Sequence, residues 1–364
     1  MPHFKPVSCD IWDIFAASKR PLLLYGMGDG ADKLIAKLQS LNIPYADVYA
    51  SDGFVRGQFF HGKQVISFSK AKEQYGDFLT ALAFASERSE VVEQIANMAK
   101  ENDILVPDLP IAGETFFDKT FYNAHLDQLN ETYDLLADEH SKNVFESVLK
   151  AKLNGNWSDL IAHTTTEEEN AKLIPFSMVR FAVDGGAYKG DTAAFIIERA
   201  PQLHTVYAIE PDAKTYAKLA NYAQNDNRIQ PIHAVLKENG ESVTFYSKGG
   251  RSSTVTAKLT DAKAQTVAGI SIDILCKNQK VDFLKFDVEG AEKEALEGAK
   301  QTIQRDLPAI KMALYHRSED LFALPLALKN ICSGYDFYIR RIPCFPAWEV
   351  NLYAVPKGIK IHET

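Results

Sequence analysis

A glycine-rich turn at residues 183–192, Val-Asp-Gly-Gly-Ala-Tyr-Lys-Gly-Asp-Thr, constrains the fold of this chain more than any other segment. It follows the apolar run 181–183, which is typical of a buried strand, and precedes residues 191–200, where apolar side chains recur at helical spacing. Strand, glycine turn and helix in this order predict one unit of a parallel sheet covered by helices. Glycines let the backbone approach a ligand, and the free N–H groups of the helix start favour an anionic group such as a carboxylate. The predicted ligand contacts in this turn are Asp184, Gly185, Gly186, Ala187, Tyr188, Gly190, Asp191 and Thr192.

An acidic residue follows the next predicted strand, at residues 206–209. Glu210, with Pro211 and Asp212 behind it, stands roughly 20 residues past the glycine turn, where a carboxylate is placed to accept the two hydroxyls of a ribose. The turn and the acidic strand end together predict a ligand that contains adenosine. The alternative is a structural turn followed by surface residues.

A third polar group follows the apolar run 281–286. Ligands of open parallel sheets bind beyond the carboxyl ends of the strands. We therefore expect Asp287 and Glu289 to face the same crevice as Gly186 and Glu210. Glu292 is interpreted as a cap of the following helix.

Two regions of alternating strands and helices flank a stretch of different character. The chain has 364 residues, and single cores rarely grow past roughly 250–300 residues, so more than one domain is expected. We predict an N-terminal Rossmann-like α/β domain at 18–113, a helical connector at 114–175 and a second α/β domain at 176–358. In the second domain strands are predicted at 181–183, 206–209, 229–234, 242–247, 283–286, 310–315 and 351–355, and helices at 191–200, 213–224, 291–306 and 319–331.

Three motifs of the second domain, in this order, resemble the motif set of FkbM-family methyltransferases: Asp184-x-Gly186-Ala187-x-x-Gly190, Glu210-Pro211 and Asp287-Val288-Glu289-Gly290-x-Glu292. The resemblance covers residues 176–356, about half of the chain. It implies a class I Rossmann-like fold, with a mostly parallel sheet and helices on both faces. It also implies methyltransferase activity with S-adenosylmethionine as cofactor.

The resemblance also assigns roles to residues of this sequence. Asp184, Gly186 and Gly190 would surround the methionine part of the cofactor, Glu210 would hold its ribose, and Asp287 would lie beside the sulfonium. The adenine would lie along His233, Ala234 and Val235, past the third strand.

A hydroxyl acceptor must give up a proton, and the candidate bases are Asp287, Glu289 and His316. His316 follows a predicted strand, and the resemblance includes a histidine in this region. No metal ion is predicted, although two carboxylates and an imidazole could together hold a divalent ion. Predicted acceptor contacts are Arg251, Ser252, Ser253, His316 and Arg317; residues 249–253 fit a hairpin turn equally well.

The N-terminal domain offers a rival site. Gly26-x-Gly28-x-x-Ala31 fits a dinucleotide-binding fingerprint, with Asp47 or Asp52 as ribose partner. Two alternatives follow: an oxidoreductase that binds NAD, or a non-catalytic nucleotide-binding or dimerising module.

The composition of the chain restricts the classes of molecule that it is expected to bind and the compartment in which it is expected to act. A formal net charge of −8 argues against a general nucleic-acid binder, because such proteins carry a basic face. The four cysteines are scattered, as in a reducing cytoplasm, and neither a signal peptide nor a membrane span is evident. We expect a cytoplasmic enzyme, and the helical connector suggests a homodimer. The resemblance implies that the acceptor is a sugar, a glycan or a small metabolite.

Overall fold

The computed structural model describes residues 2–100, 102–247 and 263–359, so that Arg251, Ser252 and Ser253 lie outside the described residues. The strands of the N-terminal region are β1 (Leu22–Tyr25), β2 (Asp47–Ala50), β3 (Phe59–Phe60), β4 (Lys63–Gln64), β5 (Ile66–Ser67), β6 (Leu79–Leu82) and β7 (Asp103–Leu105). Five of them form a parallel sheet in the order β5-β2-β1-β6-β7. The other two, β3 and β4, form a short hairpin beside it. The helices of this region are α1 (Ile11–Ala17), α2 (Asp29–Ser40), α3 (Phe68–Tyr75) and α4 (Ser89–Met98).

Five helices follow: α5 (Lys119–Ala124), α6 (Leu126–Leu135), α7 (Glu139–Asn154), α8 (Trp157–Ile161) and α9 (Glu167–Ala171). The longest, α7, begins at the N-cap Asp138 and buries Val144, Phe145 and Val148. These side chains join a core cluster that also contains residues of both sheets. The apolar faces of the connector are therefore used within the chain, so they give no support to the predicted homodimer.

The C-terminal region contains a seven-stranded sheet in the order β10-β9-β8-β15-β16-β18-β17. All neighbouring strands are parallel except β18, which runs antiparallel to β16 and β17. The strands of this region are β8 (Phe181–Gly185), β9 (Thr205–Ile209), β10 (Ile229–Ile232), β11 (Val235–Leu236), β12 (Val243–Ser247), β13 (Lys263–Val267), β14 (Gly269–Ile270), β15 (Phe283–Phe286), β16 (Ala309–Ala313), β17 (Tyr335–Arg341) and β18 (Val350–Pro356). The helices are α10 (Asp191–Arg199), α11 (Ala213–Ala223), α12 (Ile272–Leu275), α13 (Glu292–Glu297), α14 (Lys300–Asp306) and α15 (Asp320–Ile331). The predicted α/β fold is confirmed.

One predicted element is divided in the structure, because the helix predicted at 291–306 consists of α13 and α14. Strand β17 was not predicted, nor were the short elements β11, β13, β14 and α12. Strand β17 alternates buried and half-buried residues, and residues 335–340 carry the period-two pattern of a strand, so the sequence did hold a signal for it. Its last residue, Arg341, is buried.

Main-chain contacts join the N-terminal region to the C-terminal sheet. Ser86 and Phe345 exchange two N–H···O bonds, of 2.8 and 2.9 Å, and the N–H of Ala112 donates to the carbonyl oxygen of His316 at 2.8 Å. These bonds hold the segments that follow β6 and β7 next to the C-terminal region. Across the described part of the chain, no helix is long and apolar enough to cross a membrane.

Candidate active site

A cavity of about 370 Å³ lies at the carboxyl ends of β8, β9 and β15. The chain leaves β8 for β9 on one side and reaches β15 on the other, and ligands of open α/β sheets bind at such a switch point. Ten of the predicted site residues border this cavity: Gly186, Tyr188, Asp191, Thr192, Glu210, Pro211, Ala234, Val235, Asp287 and Glu289. The three polar strand ends predicted from the sequence therefore meet in one place.

The glycine turn depends on a close backbone approach. Gly186 has φ +78°, and a Cβ atom there would lie 1.8 Å from the carbonyl oxygen of Asp287, so no other residue fits. Tyr188 has φ +48°, and Gly190, with φ +96°, precedes α10 as its N-cap. The turn brings the start of α10 to the edge of the cavity.

Glu210 follows β9 and is only 7% exposed. Its Oε2 accepts a hydrogen bond from the N–H of Tyr188 at 3.0 Å, and its Oε1 accepts one from the N–H of Asp212 at 2.8 Å. Burial raises the pKa of Glu210 to about 7, in spite of these two donors. The carboxylate is fixed against the glycine turn, and it still has lone pairs for ligand hydroxyls.

The predicted adenine side is formed by fewer residues than expected. Ala234 and Val235 border the cavity, together with Leu236, which was not predicted. The ring of His233 instead stacks on Tyr216, with ring centroids 4.8 Å apart, and its Nε2 lies 3.0 Å from the carbonyl oxygen of Pro211. His233 therefore supports the cavity wall from outside.

A buried lysine, which the sequence reasoning missed, lies under the site. Lys285 points from β15 toward Asp184 and Asp287, with Nζ 3.2 Å from Asp184 Oδ1 and 3.5 Å from Asp287 Oδ2. It also donates to the carbonyl oxygen of Gly186 at 3.0 Å. Burial alone would lower the pKa of Lys285, but the two carboxylates outweigh it and raise the pKa. The sequence did hold one signal for this residue, because a lysine within an apolar strand pattern indicates a buried charge.

Next to this lysine, His316 is enclosed by carboxylates. Its Nδ1 lies 2.8 Å from Glu292 Oε1, and its Nε2 lies 3.6 Å from Asp287 Oδ1 and 3.7 Å from Glu289 Oε2. His316 is 1% exposed and does not border the cavity. Burial alone would lower its pKa, but Glu292, Glu289 and Asp287 together raise the pKa of His316 to about 10. The predicted contact of His316 with a ligand would therefore pass through Asp287 or Glu289.

Asp287 itself is held ionised. Burial would raise its pKa, but Lys285, His316 and Lys311 lower it below the ordinary value of an aspartate. The hydroxyl of Tyr315, which also borders the cavity, lies 3.4 Å from both Asp287 Oδ1 and Glu349 Oε1, and its one proton can be donated to either carboxylate. Asp287 is thus a fixed negative charge at the cavity wall.

Three segments that the sequence reasoning did not connect complete the rim. Glu87 comes from the N-terminal region, Glu167 from α9, and Glu349 from the turn before β18. The sequence around Glu167 is acidic, with Glu168 and Glu169 next to it, and such a run is typical of a solvated helix start. A capping box between Thr166 and Glu169 agrees with the helix start, but Glu167 pairs with Lys311 at 2.7 Å and borders the cavity.

Tyr188, Glu289 and Glu349 share an unusual backbone conformation at the cavity. Their φ values are +48°, +55° and +57°. Left-handed backbone is rare for residues other than glycine and collects at functional sites, where the surrounding structure holds it in place. Of the seven non-glycine residues with such φ values in the described part of the chain, these three border the cavity, which agrees with a functional role for it.

Other predicted residues lie away from the cavity. Asp212 caps α11 through the N–H and hydroxyl of Thr215, both at 2.9 Å. Arg317 donates through Nε to the carbonyl oxygen of Gly290 at 2.9 Å. Asp184 and Ala187 are fully buried behind the turn, and Gly185 lies beside them in β8.

Packing and local hydrogen bonds explain residues of the N-terminal glycine loop and the two aspartates near it. A Cβ atom at Gly26 would lie 2.6 Å from the ring of Phe84, and one at Gly30 would lie 2.5 Å from the carbonyl oxygen of Ala83. Asp47 accepts the hydroxyl of Tyr75 at 3.1 Å, and Asp52 accepts that of Ser69 at 2.6 Å. Close packing on β6 and local hydrogen bonds account for these residues without a ligand.

Comparison with known proteins agrees with the motif resemblance. Residues 184–330 match the family described as Methyltransferase FkbM domain. A crystal structure of a methyltransferase FkbM from Methylobacillus flagellatus KT matches 96% of this chain and 94% of its own, with 18% identity and a TM-score of 0.66. Fibrillarin from Aeropyrum pernix, in complex with S-adenosyl-L-methionine, matches 49% of this chain and 66% of its own, with 16% identity and a TM-score of 0.32. No curated protein matches the chain. The first structure shares the fold over nearly the whole length.

Proposed function

We propose, on the premise that this chain is an S-adenosylmethionine-dependent methyltransferase with an FkbM domain at residues 184–330, that it methylates a hydroxyl group of a sugar, a glycan or a small metabolite. One observation carries the proposal: the glycine turn, Glu210 and Asp287 border a single cavity at the switch point of the sheet. When bound there, S-adenosylmethionine supplies a methyl group on a sulfonium.

The residues of the cavity fit this cofactor. Gly186 gives the space that a close-lying ligand needs, and the adjacent start of α10 suits a carboxylate. Glu210 is placed to accept the ribose hydroxyls, and the apolar Ala234, Val235 and Leu236 suit an adenine face. Asp287 supplies negative charge where a sulfonium is expected. The residues of this chain therefore bind the cofactor and align its methyl group with the acceptor. Such alignment at near-attack distance supplies much of the acceleration of a methyl transfer.

The acidic rim favours a hydroxyl-bearing acceptor over an anionic one. Glu87, Glu289 and Glu349 border the cavity, and within the described part of the chain the cation that borders it, Lys285, is buried against Asp184 and Asp287. Like charges at a rim repel phosphates and carboxylates. Nucleic acid is therefore a poor candidate, as the net charge had suggested.

We assign the acceptance of the hydroxyl proton to Glu289. Of the three predicted bases, Asp287 and Glu289 border the cavity, and His316 lies behind them. Asp287 already faces Lys285, so its charge is engaged in holding the site together. A carboxylate within hydrogen-bond reach of the acceptor can take the proton as the new bond forms.

Calorimetric titration with S-adenosylhomocysteine tests the cofactor site. We expect saturable binding in the wild type, loss of binding in Glu210→Ala, and unchanged binding in the control Glu294→Gln, whose side chain is exposed on α13. Equal affinity in the wild type and Glu210→Ala would contradict the assignment of this carboxylate. Binding of NAD alone in a parallel titration would move the function to the N-terminal glycine loop.

Turnover separates binding from chemistry. With labelled S-adenosylmethionine and a panel of sugars and small alcohols, Glu289→Gln and Asp287→Asn should keep the affinity for S-adenosylhomocysteine within a few-fold and lower turnover strongly. Full turnover in Glu289→Gln would exclude this residue as the base.

The cytoplasmic location and the homodimer stay predictions. Light scattering of the purified chain measures the oligomeric state.

A further inference from the structure

The buried group around His316 has features that the transfer reaction does not explain. Asp287 follows β15, Glu292 begins α13, and His316 follows β16, so that three elements converge there. Each of the three side chains offers one ligand atom, and these atoms all lie within 4.8 Å of one another. Glu292, interpreted from the sequence as a helix cap, does accept the N–H of Val288 at 2.8 Å, but it is 1% exposed and faces His316.

One oxygen of this group lacks a hydrogen-bond partner. Among the described residues, Glu292 Oε2 is buried without a hydrogen bond. The other oxygen, Oε1, lies 2.8 Å from His316 Nδ1 and accepts the N–H of Val288. Buried polar atoms are nearly always paired, and an orphan is often explained by an ion or a water molecule.

The groups that surround the imidazole are mainly acidic. Asp287, Glu289 and Glu292 face His316, and the buried Asp320 lies on the far side, where it accepts the N–H of Arg317 at 2.9 Å. Lys285 approaches Asp287 through Oδ2, whereas Oδ1 lies 3.6 Å from His316 Nε2 and 3.4 Å from the hydroxyl of Tyr315. Buried carboxylates are normally paired or coordinate metals.

We propose that Asp287, Glu292 and the neutral imidazole of His316 bind one divalent transition-metal ion. Nitrogen and oxygen ligands lie about 2.0–2.2 Å from such ions, so that two ligands are at most about 4.4 Å apart. The separations in this structure close to that value with shifts of a few tenths of an ångström. One imidazole and two carboxylates suit Mn²⁺, Fe²⁺, Co²⁺ or Zn²⁺ better than the harder Mg²⁺ or Ca²⁺.

The site opens toward the acceptor. Asp287 borders the cavity, whereas Glu292 and His316 are buried behind it. A coordination position left open on the cavity side would face the acceptor oxygen, and a metal ion there lowers the pKa of a bound hydroxyl. This role rests on the proposed function, whereas the binding of the ion does not.

Metal binding is measured on the full chain after treatment with a chelator. Titration with Mn²⁺, followed by the loss of the paramagnetic resonance signal of free Mn²⁺, should give one ion per chain. Titration with Co²⁺ should give visible absorption bands that report a nitrogen ligand. We expect Glu292→Gln and His316→Ala to weaken binding at least tenfold, and Glu294→Gln, a matched change on the exposed face of α13, to leave it unchanged.

Three results would overturn the proposal: no saturable binding of Mn²⁺ or Co²⁺ to the wild type, wild-type affinity in both variants, or binding of Mg²⁺ as tight as that of Mn²⁺. Since Glu292 and His316 are buried, each variant is first checked by circular dichroism, and Asp287→Asn serves where a variant does not fold. Titration with S-adenosylhomocysteine without metal is run alongside. Failure of that titration contradicts the cofactor site and leaves the metal result intact.

Discussion

Glu210 carries a stability cost at neutral pH that its proposed role explains. Burial raises its pKa to about 7, whereas an unfolded glutamate has a pKa of about 4.3. Between these values the folded chain binds a proton that the unfolded chain does not bind. Stability therefore falls as the pH rises through this window, by up to about 4 kcal/mol. A carboxylate kept at such a cost is typical of a binding site.

The first prediction follows from the direction of this pH dependence. Glu210→Gln cannot ionise, so relative to the wild type its free energy of unfolding should improve by up to about 3 kcal/mol between pH 5 and pH 8. The pH-dependent difference is the test, because the amide also loses one acceptor for the N–H groups of Tyr188 and Asp212. Urea unfolding at the two pH values measures it. The same difference at both pH values would contradict the raised pKa.

The second prediction concerns binding by the same residue. Ribose hydroxyls donate to the ionised form of Glu210, so binding favours loss of its proton. The affinity for S-adenosylhomocysteine should increase as the pH rises toward about 7 and level off above it. Calorimetry in buffers of different ionisation enthalpy should detect proton release below pH 7. An affinity that is flat from pH 5.5 to 8.5 would argue against hydrogen bonds from the ribose to this carboxylate.

The third prediction concerns Lys285. Its ammonium group is buried between Asp184 and Asp287, and removal of one partner from a buried ion pair typically costs about 3–5 kcal/mol. Lys285→Met should therefore lower the free energy of unfolding by that amount. Lys280→Met is the matched control, because Lys280 is exposed and lies 3.5 Å from Asp282. Urea unfolding compares the two, and equal small effects would contradict the role of Lys285.

The cavity residues that were predicted from the sequence differ in position from those that were not. Gly186, Glu210 and Asp287 follow strands, and the alternation of strands and helices predicts that strand ends meet at one edge. Glu87 and Glu349 border the same cavity from segments far apart in the chain. Only the tertiary fold brings these two together, so no local pattern could have marked them.

At the scale of elements, helix α7 is fixed at its start by one aspartate. Asp138 accepts the N–H of Ser141 at 2.7 Å as the N-cap and pairs with Arg340 of β17 at 2.6 Å. The fourth prediction is that Asp138→Ala lowers the free energy of unfolding by about 1–2 kcal/mol, mainly through loss of the cap. Glu139→Ala is the control, because that side chain is exposed and contacts Lys142. An equal loss in both variants would mean that the cap contributes little.

The elements themselves were predictable to different degrees. Strands β8, β9 and β15 are apolar runs next to glycine or acidic residues, which local patterns identify. Strand β17 was not predicted, although residues 335–340 alternate in the manner of a strand. Its last residue, Arg341, is buried and donates to the carbonyl oxygens of Cys344 and Pro346, and Arg340 pairs with Asp138. The partners that satisfy a buried arginine are set by the turn after β17, and no periodicity encodes them.

At the scale of the whole molecule, the three predicted domains share buried surface. One core cluster contains Tyr49 and Ile95 of the N-terminal region, Phe145 of the connector and Leu284 of the C-terminal sheet. The cavity is shared in the same way, since Glu87 and Glu167 lie outside residues 176–358. The sequence marks the boundaries by a change of pattern, but it does not say how tightly the parts pack.

The fifth prediction follows from this shared core. Because separation of the parts would expose apolar side chains of each of them, the full chain should unfold in one cooperative transition. Binding of S-adenosylhomocysteine to the folded state should raise that whole transition, by an amount set by ligand concentration and affinity. Scanning calorimetry with and without the ligand measures both effects, and the fragment 176–358 is the comparison. Two separate transitions, with a ligand shift in only one, would mean that the C-terminal sheet folds on its own; the fragment should then bind the ligand as tightly as the full chain.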